Sequence, residues 1–139
     1  MSPIIEIPTQ VKQEALFYED SYYARLINKL IEERKIKVVS VDNDDVFGIM
    51  EEFRLDEGEA AAYVLFDNKK HDAILTDDGE LIKLCKLRDV PFICAMAIVV
   101  RLYEKKRLSK EKAPIKIKEL NEIGRYAKEI SEYFKREIK

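Results

Sequence analysis

Four carboxylates stand out in the stretch "LDEGEAAAYVLFDNKKHDAILTDDGELIKLC", residues 55 to 85. Glu59 sits among the small residues Gly58, Ala60, Ala61 and Ala62, and Asp77 and Asp78 end the apolar run "AILT". Glu80 follows two residues after Asp78. Carboxylates that converge at strand ends hold Mg²⁺ or Mn²⁺ through hard oxygen ligands, with water completing the shell. Such a site activates water and stabilises a phosphoryl transition state. The same residues also have purely structural uses. Glu59 lies three residues after Asp56, the spacing of a capping box. An aspartate before a helix caps it, and Glu80 would be a first-turn acid favoured by the helix dipole. Both uses stay open at this level, although two adjacent aspartates exceed what one cap requires. The chain has no glycine-rich phosphate loop and no serine nucleophile motif. His71 is its single histidine, which excludes mechanisms needing several.

The elements that must position these acids alternate. "PIIEI" (3 to 7) reads as a strand, and Pro8 and Thr9 open a helix. From Ser21, apolar residues at Tyr22, Tyr23, Leu26, Ile27, Leu30 and Ile31 predict a helix with one buried stripe. "IKVVSV" (36 to 41) is β-branched and predicts a strand, after which Asp42 and Asn43 cap a helix. A helix follows Asp56. "AILT" (73 to 76) and "PFIC" (91 to 94) predict buried strands around the helix "DDGELIKLCKLR". "AMAIVVRLYEKKR" predicts another helix, Ser109 caps the next, and Gly124 stops it. "YAKEISEYFKREI" predicts an amphipathic closing helix. Strands alternating with helices argue for βαβ units and a central parallel sheet in one α/β domain spanning residues 1 to 139.

Composition sets the outer limits. The chain has 139 residues, 47% apolar and 37% charged, a charge density suited to a surface laced with ion pairs. The net charge of −2 provides no global field for nucleic acid, so binding to it requires a local patch. The clearest patch is "RLYEKKRLSKEK" (101 to 112), with six lysines and arginines against two glutamates, around Lys105, Lys106 and Arg107. No run of 18 apolar residues predicts a membrane span, and the N-terminus lacks a signal-peptide pattern. A cytoplasmic protein with no membrane partner is expected. Cys85 and Cys94 lie in apolar contexts without metal-ligand spacing and read as buried, reduced thiols.

In order along the chain, "LDEGEAAAYVLF", "DAILTDDGELIKLC", "VPFICAMAIVVRLYEKKRLSKEKA" and "LNEIGRYAKEISEYFKREI" resemble segments of the PIN domain family, in its VapC-like toxin branch. The resemblance implies a three-layer α/β/α fold. It also implies a metal-dependent ribonuclease, in which acids hold Mg²⁺ or Mn²⁺ and a bound water attacks the RNA phosphodiester. Glu59 would be the helix acid and Asp78 the chief strand-end acid, with Asp77 as its substitute in an alternative register and Glu80 as a fourth acid. The chain departs from the family at its start, where "MSPIIEIPTQV" resembles the second strand and helix rather than an opening strand ending in aspartate. Asp42 ends a strand-like run, but its chain order differs from that of the missing acid. Two functions follow as expectations. One is a VapC-like ribonuclease with RNA as substrate, a small antitoxin as partner and a tendency to form homo-oligomers. The other is an inactive PIN-like binding module.

Overall fold

The computed structural model describes residues 4–124 and 128–138. The chain divides into two units, the first comprising residues up to Ile74 together with Asp78–Val90, the second Leu75–Asp77 and Pro91 onward.

In the first unit, β1 (Ile5–Pro8) leads directly into α1 (Thr9–Ala15), with Pro8 as both the last strand residue and the helix N-cap. The fixed φ of proline suits this junction, since no N–H is needed there. Ser21 caps α2 (Tyr22–Glu32) by accepting the Ala24 N–H at 3.1 Å. β2 (Ile36–Val39) returns parallel to β1, with Ile5 opposite Ile36 and Ile7 opposite Val38. Parallel pairing demands a crossover, which α1 and α2 provide. Asp42 caps α3 (Asn43–Glu52) by accepting the N–H groups of Asp44 and Asp45 at 2.8 and 3.2 Å. α4 (Glu57–Leu65) and α5 (Gly79–Leu87) complete the unit. Its core is small-residued around α4, where Ala60 and Ala61 are fully buried, and larger at Val46, Ile74, Leu81 and Leu84.

The stripe expected on α2 is a correction. Tyr22, Tyr23 and Leu26 are exposed, and the inward face instead follows buried Ala24 with half-buried Ile27, Leu30 and Ile31. The i, i+3, i+6, i+7 set starting at the small residue wins because alanine admits close packing. The two tyrosine rings meet edge to face, 5.5 Å apart.

In the second unit, β3 (Ile74–Leu75), which enters it through Leu75, pairs with β4 (Phe92–Ile93), and the Thr76 N–H donates to the Ile93 carbonyl at 3.0 Å. Both strands are shorter than "AILT" and "PFIC" suggest, and Leu75 is 52% exposed. Among the described residues the strands thus form two two-stranded sheets. α6 (Ala95–Glu104), α7 (Lys112–Gly124) and α8 (Lys128–Arg136) follow. Met96, Val99, Val100, Ala113 and Ile117 form the core, against which Tyr103, Leu108 and Phe134 pack. The expected start of the closing helix, at Tyr126, lies outside the described residues, as does Pro3 at the expected start of the first strand. Both cysteines are buried and free. No helix among the described residues is long and apolar enough to cross a membrane.

Candidate active site: a carboxyl pair across two helix starts

Glu59 is where the capping-box spacing places it. Its backbone N–H donates to Asp56 Oδ1 at 2.9 Å, and its own Oε2 accepts the Asp56 N–H at 3.2 Å. The box bends the Glu59 side chain back over the start of α4. There its carboxyl comes within electrostatic reach of the carboxyl of Asp78. Burial is the main cause that pushes the Glu59 carboxyl up to about 7; the approach of Asp78 and the nearby charge of Asp56 push the same way, against the Asp56 N–H. Like charges at short range cannot both ionise freely.

Asp78 is held by a second helix. Its Oδ2 accepts the Leu81 N–H at 2.8 Å, so it is the N-cap of α5. Two half-buried acids, nineteen residues apart in the chain, are therefore oriented by two separate helix starts and directed at each other.

The other two acids are engaged elsewhere. Asp77 Oδ1 accepts the Ala95 N–H at 2.7 Å and so serves the start of α6, whose N-cap Cys94 makes no side-chain cap bond. This resolves the doubled aspartate: each member caps a different helix. Glu80 is exposed and pairs with Lys83 at 3.2 Å, the first-turn arrangement. Asp42 is occupied as the α3 cap.

Glu14, on α1, escapes sequence reasoning. Its carboxylate lies so close that a Cβ at Gly58 would stand 2.5 Å from its Oε1. Burial, then Asp56, push its pKa up, with Glu57 adding to the shift, while the Gly58 N–H opposes it. Gly58 thus admits a side chain, where its smallness suggests room for another backbone. The usable signal is that Glu14 lies four residues after Gln10, which is buried, placing both on one face of α1. His71 also joins distant segments, with Nε2 against Glu6 of β1 and Nδ1 accepting the Asp67 N–H at 3.0 Å. An open groove lined by Asp44, Asp45, Ile49, Glu52, Tyr63 and Phe66 contains neither Glu59 nor Asp78.

Among the described residues no group of three or more histidine, cysteine, aspartate or glutamate side chains converges as a metal cluster. The Glu59–Asp78 pair nevertheless suits a hard divalent cation. Mg²⁺ is commonly held by one or two carboxylates, with water and substrate phosphate completing its shell, and a cation would relieve the repulsion between the two acids.

A family model described as a PIN domain matches residues 2–136. The chain belongs to the PIN domain family. The match runs through both units, and the helices and parallel β1–β2 pairing agree with the three-layer α/β/α class. No curated protein and no solved structure shows a significant match.

Proposed function

We propose that this PIN domain is a metal-dependent ribonuclease of the VapC-like type that cleaves single-stranded RNA. The observation carrying this reading is the carboxyl pair, in which Glu59 and Asp78 are brought together from two helix starts. Glu59 and Asp78 would hold Mg²⁺ or Mn²⁺. The ion, when bound, supplies a lowered water pKa and charge stabilisation at the phosphodiester. The protein's part is orientation. The Asp56 N–H fixes one oxygen of Glu59, and the Leu81 N–H fixes one oxygen of Asp78, so each carboxyl is oriented by a helix start. Asp77 and Glu80 contribute to helix ends in this scheme rather than to the ion. In the VapC-like setting the partner would be a small antitoxin, and the chain would self-associate.

The test is cleavage of a labelled single-stranded RNA with Mn²⁺, comparing the unaltered chain with Glu59→Gln, Asp78→Asn. Metal-dependent cleavage that falls by about a hundredfold or more in the double variant supports the reading. An unchanged rate, or no Mn²⁺ binding by calorimetry, overturns it.

A second reading rests on the engagement of Asp77 and Glu80 elsewhere, which leaves two of the four candidate acids together. In that case the chain is a non-catalytic binding module. Stable, concentration-dependent association without metal-dependent cleavage would favour it.

A further inference from the structure

We infer that the turn between α6 and α7 is the surface by which this chain grips the phosphate backbone of RNA. The inference rests on the ribonuclease reading for the identity of the polymer and on the turn itself for everything else.

The turn is built rather than loose. Lys105 ends α6, with its N–H bonded to the Arg101 carbonyl at 3.0 Å. Lys106 takes a left-handed backbone, φ 59°, and its N–H reaches the Tyr103 carbonyl, while the Arg107 N–H reaches that of Leu102 at 2.9 Å. A non-glycine residue at positive φ carries a conformational cost. Leu108 and Tyr103 anchor the turn from below against the core of the unit. Ser109 then starts α7, its Oγ accepting the Lys112 N–H at 3.1 Å. Lys105, Lys106, Arg107, Lys110 and Lys112 are all exposed on this frame.

Two glutamates, Glu104 and Glu111, share this stretch with six lysines and arginines. Glu104 pairs back along α6 with Arg101 at 3.2 Å. No ion pair among the described residues engages Lys105, Lys106, Arg107 or Lys110. Lys105 has a local explanation, since a cation at a helix C-terminus meets the negative end of the dipole. Lys110 and Lys112 have none. They stand at the start of α7, where the dipole repels cations, with the exposed Glu111 between them as a partial counterweight. The patch stays net positive, and a polyanion would relieve it. The chain as a whole is net negative, so attraction for a polyanion requires a local patch such as this turn. Flexible phosphate spacing on a single strand matches cations spread over a turn, whereas the guanidinium of Arg107 adds a bidentate phosphate contact.

The experiment measures binding of a 5′-fluorescein-labelled uridine 20-mer by anisotropy, with EDTA present to prevent cleavage, across a salt series. The full chain is compared with Lys105→Ala, Lys106→Ala, Arg107→Ala, and with Lys105→Arg, Lys106→Arg as a charge-preserving control. Circular dichroism checks that each variant folds. The expected result is a loss of roughly tenfold or more in affinity for the triple alanine variant. Its log–log salt slope should fall by about 2, the share of three phosphate contacts on a single strand. The control should keep both. An unchanged affinity and slope overturn the assignment of the turn while leaving the ribonuclease reading intact. No RNA binding by the unaltered chain overturns both. Poly-glutamate bound as tightly as RNA, and lost equally in the triple variant, overturns RNA in favour of an acidic protein. RNA binding that depends on the turn, with no cleavage on adding Mn²⁺, leaves the surface standing and overturns the nuclease reading.

Discussion

Asp77 and Asp78 are neighbours in the chain, yet they serve different regions of the molecule. Asp78 belongs to the first unit, where it caps α5 and meets Glu59. Asp77 belongs to the second, where it accepts one N–H at the start of α6. Both are aspartates before a helix, and both satisfy an orphan N–H of the kind every helix start leaves. What separates them is a second partner. Asp77 meets a donor and rests there, stabilised. Asp78 meets a donor and another acid, which raises the free energy of the ionised pair and makes the site receptive to a cation. A residue's type and local role therefore do not separate the two aspartates; the second contact does.

The largest effect that tests this contrast is on catalysis. Glu59→Gln with Asp78→Asn keeps the volumes and the α5 cap but removes both charges, and RNA cleavage with Mn²⁺ should drop by at least about a hundredfold. Asp77→Asn should leave the rate within a fewfold. Equal losses in the two variants would erase the distinction between the aspartates.

Stability comes next. Asp77→Ala should cost about 1 kcal/mol in denaturant unfolding, the usual loss of a helix cap. Asp78→Ala loses a cap too, but it also frees Glu59 to ionise beside fewer charges. At pH 8 without metal its net cost should be the smaller of the two.

The pH dependence sharpens the same point. The folded Glu59 carboxyl holds its proton up to about 7, against an ordinary value of 4.5. Stability linked to that proton is fully present below pH 4.5 and is lost as pH rises through 7. With solvent screening at this half-buried position, the loss across that window should be about 1 kcal/mol. Thermal melts in EDTA from pH 5 to 8 would show it, and Glu59→Gln should flatten this component. Below pH 7, Mn²⁺ binding should release about one proton, measurable by calorimetry in buffers of different ionisation enthalpy.

The smallest expected effect is at Glu80. Its exposed pair with Lys83 predicts that Glu80→Ala shifts stability by no more than about 0.5 kcal/mol and leaves metal binding intact.

The sequence made some of this legible and hid the rest for physical reasons. The capping box at Asp56 and Glu59, the Asp42 and Ser109 caps and the parallel crossover are local or periodic signals, and they appear where spacing places them. The choice between Asp77 and Asp78 was not legible, because it depends on which of them faces Glu59, a contact across nineteen residues. Glu14 was hidden more deeply. It sits in a seven-residue helix, and only the approach of α1 to Gly58 gives it a role. The tyrosines of α2 misled in the other direction, because apolar periodicity does not say which side of the stripe meets the core.

The reciprocal bond of the capping box has one more consequence. The Asp56 amide proton is held by the very carboxylate group that would take up a cation. Its solvent exchange, followed by nuclear magnetic resonance, should change when that carboxylate is drawn elsewhere, making a single backbone position a resident gauge of whether the pair is filled.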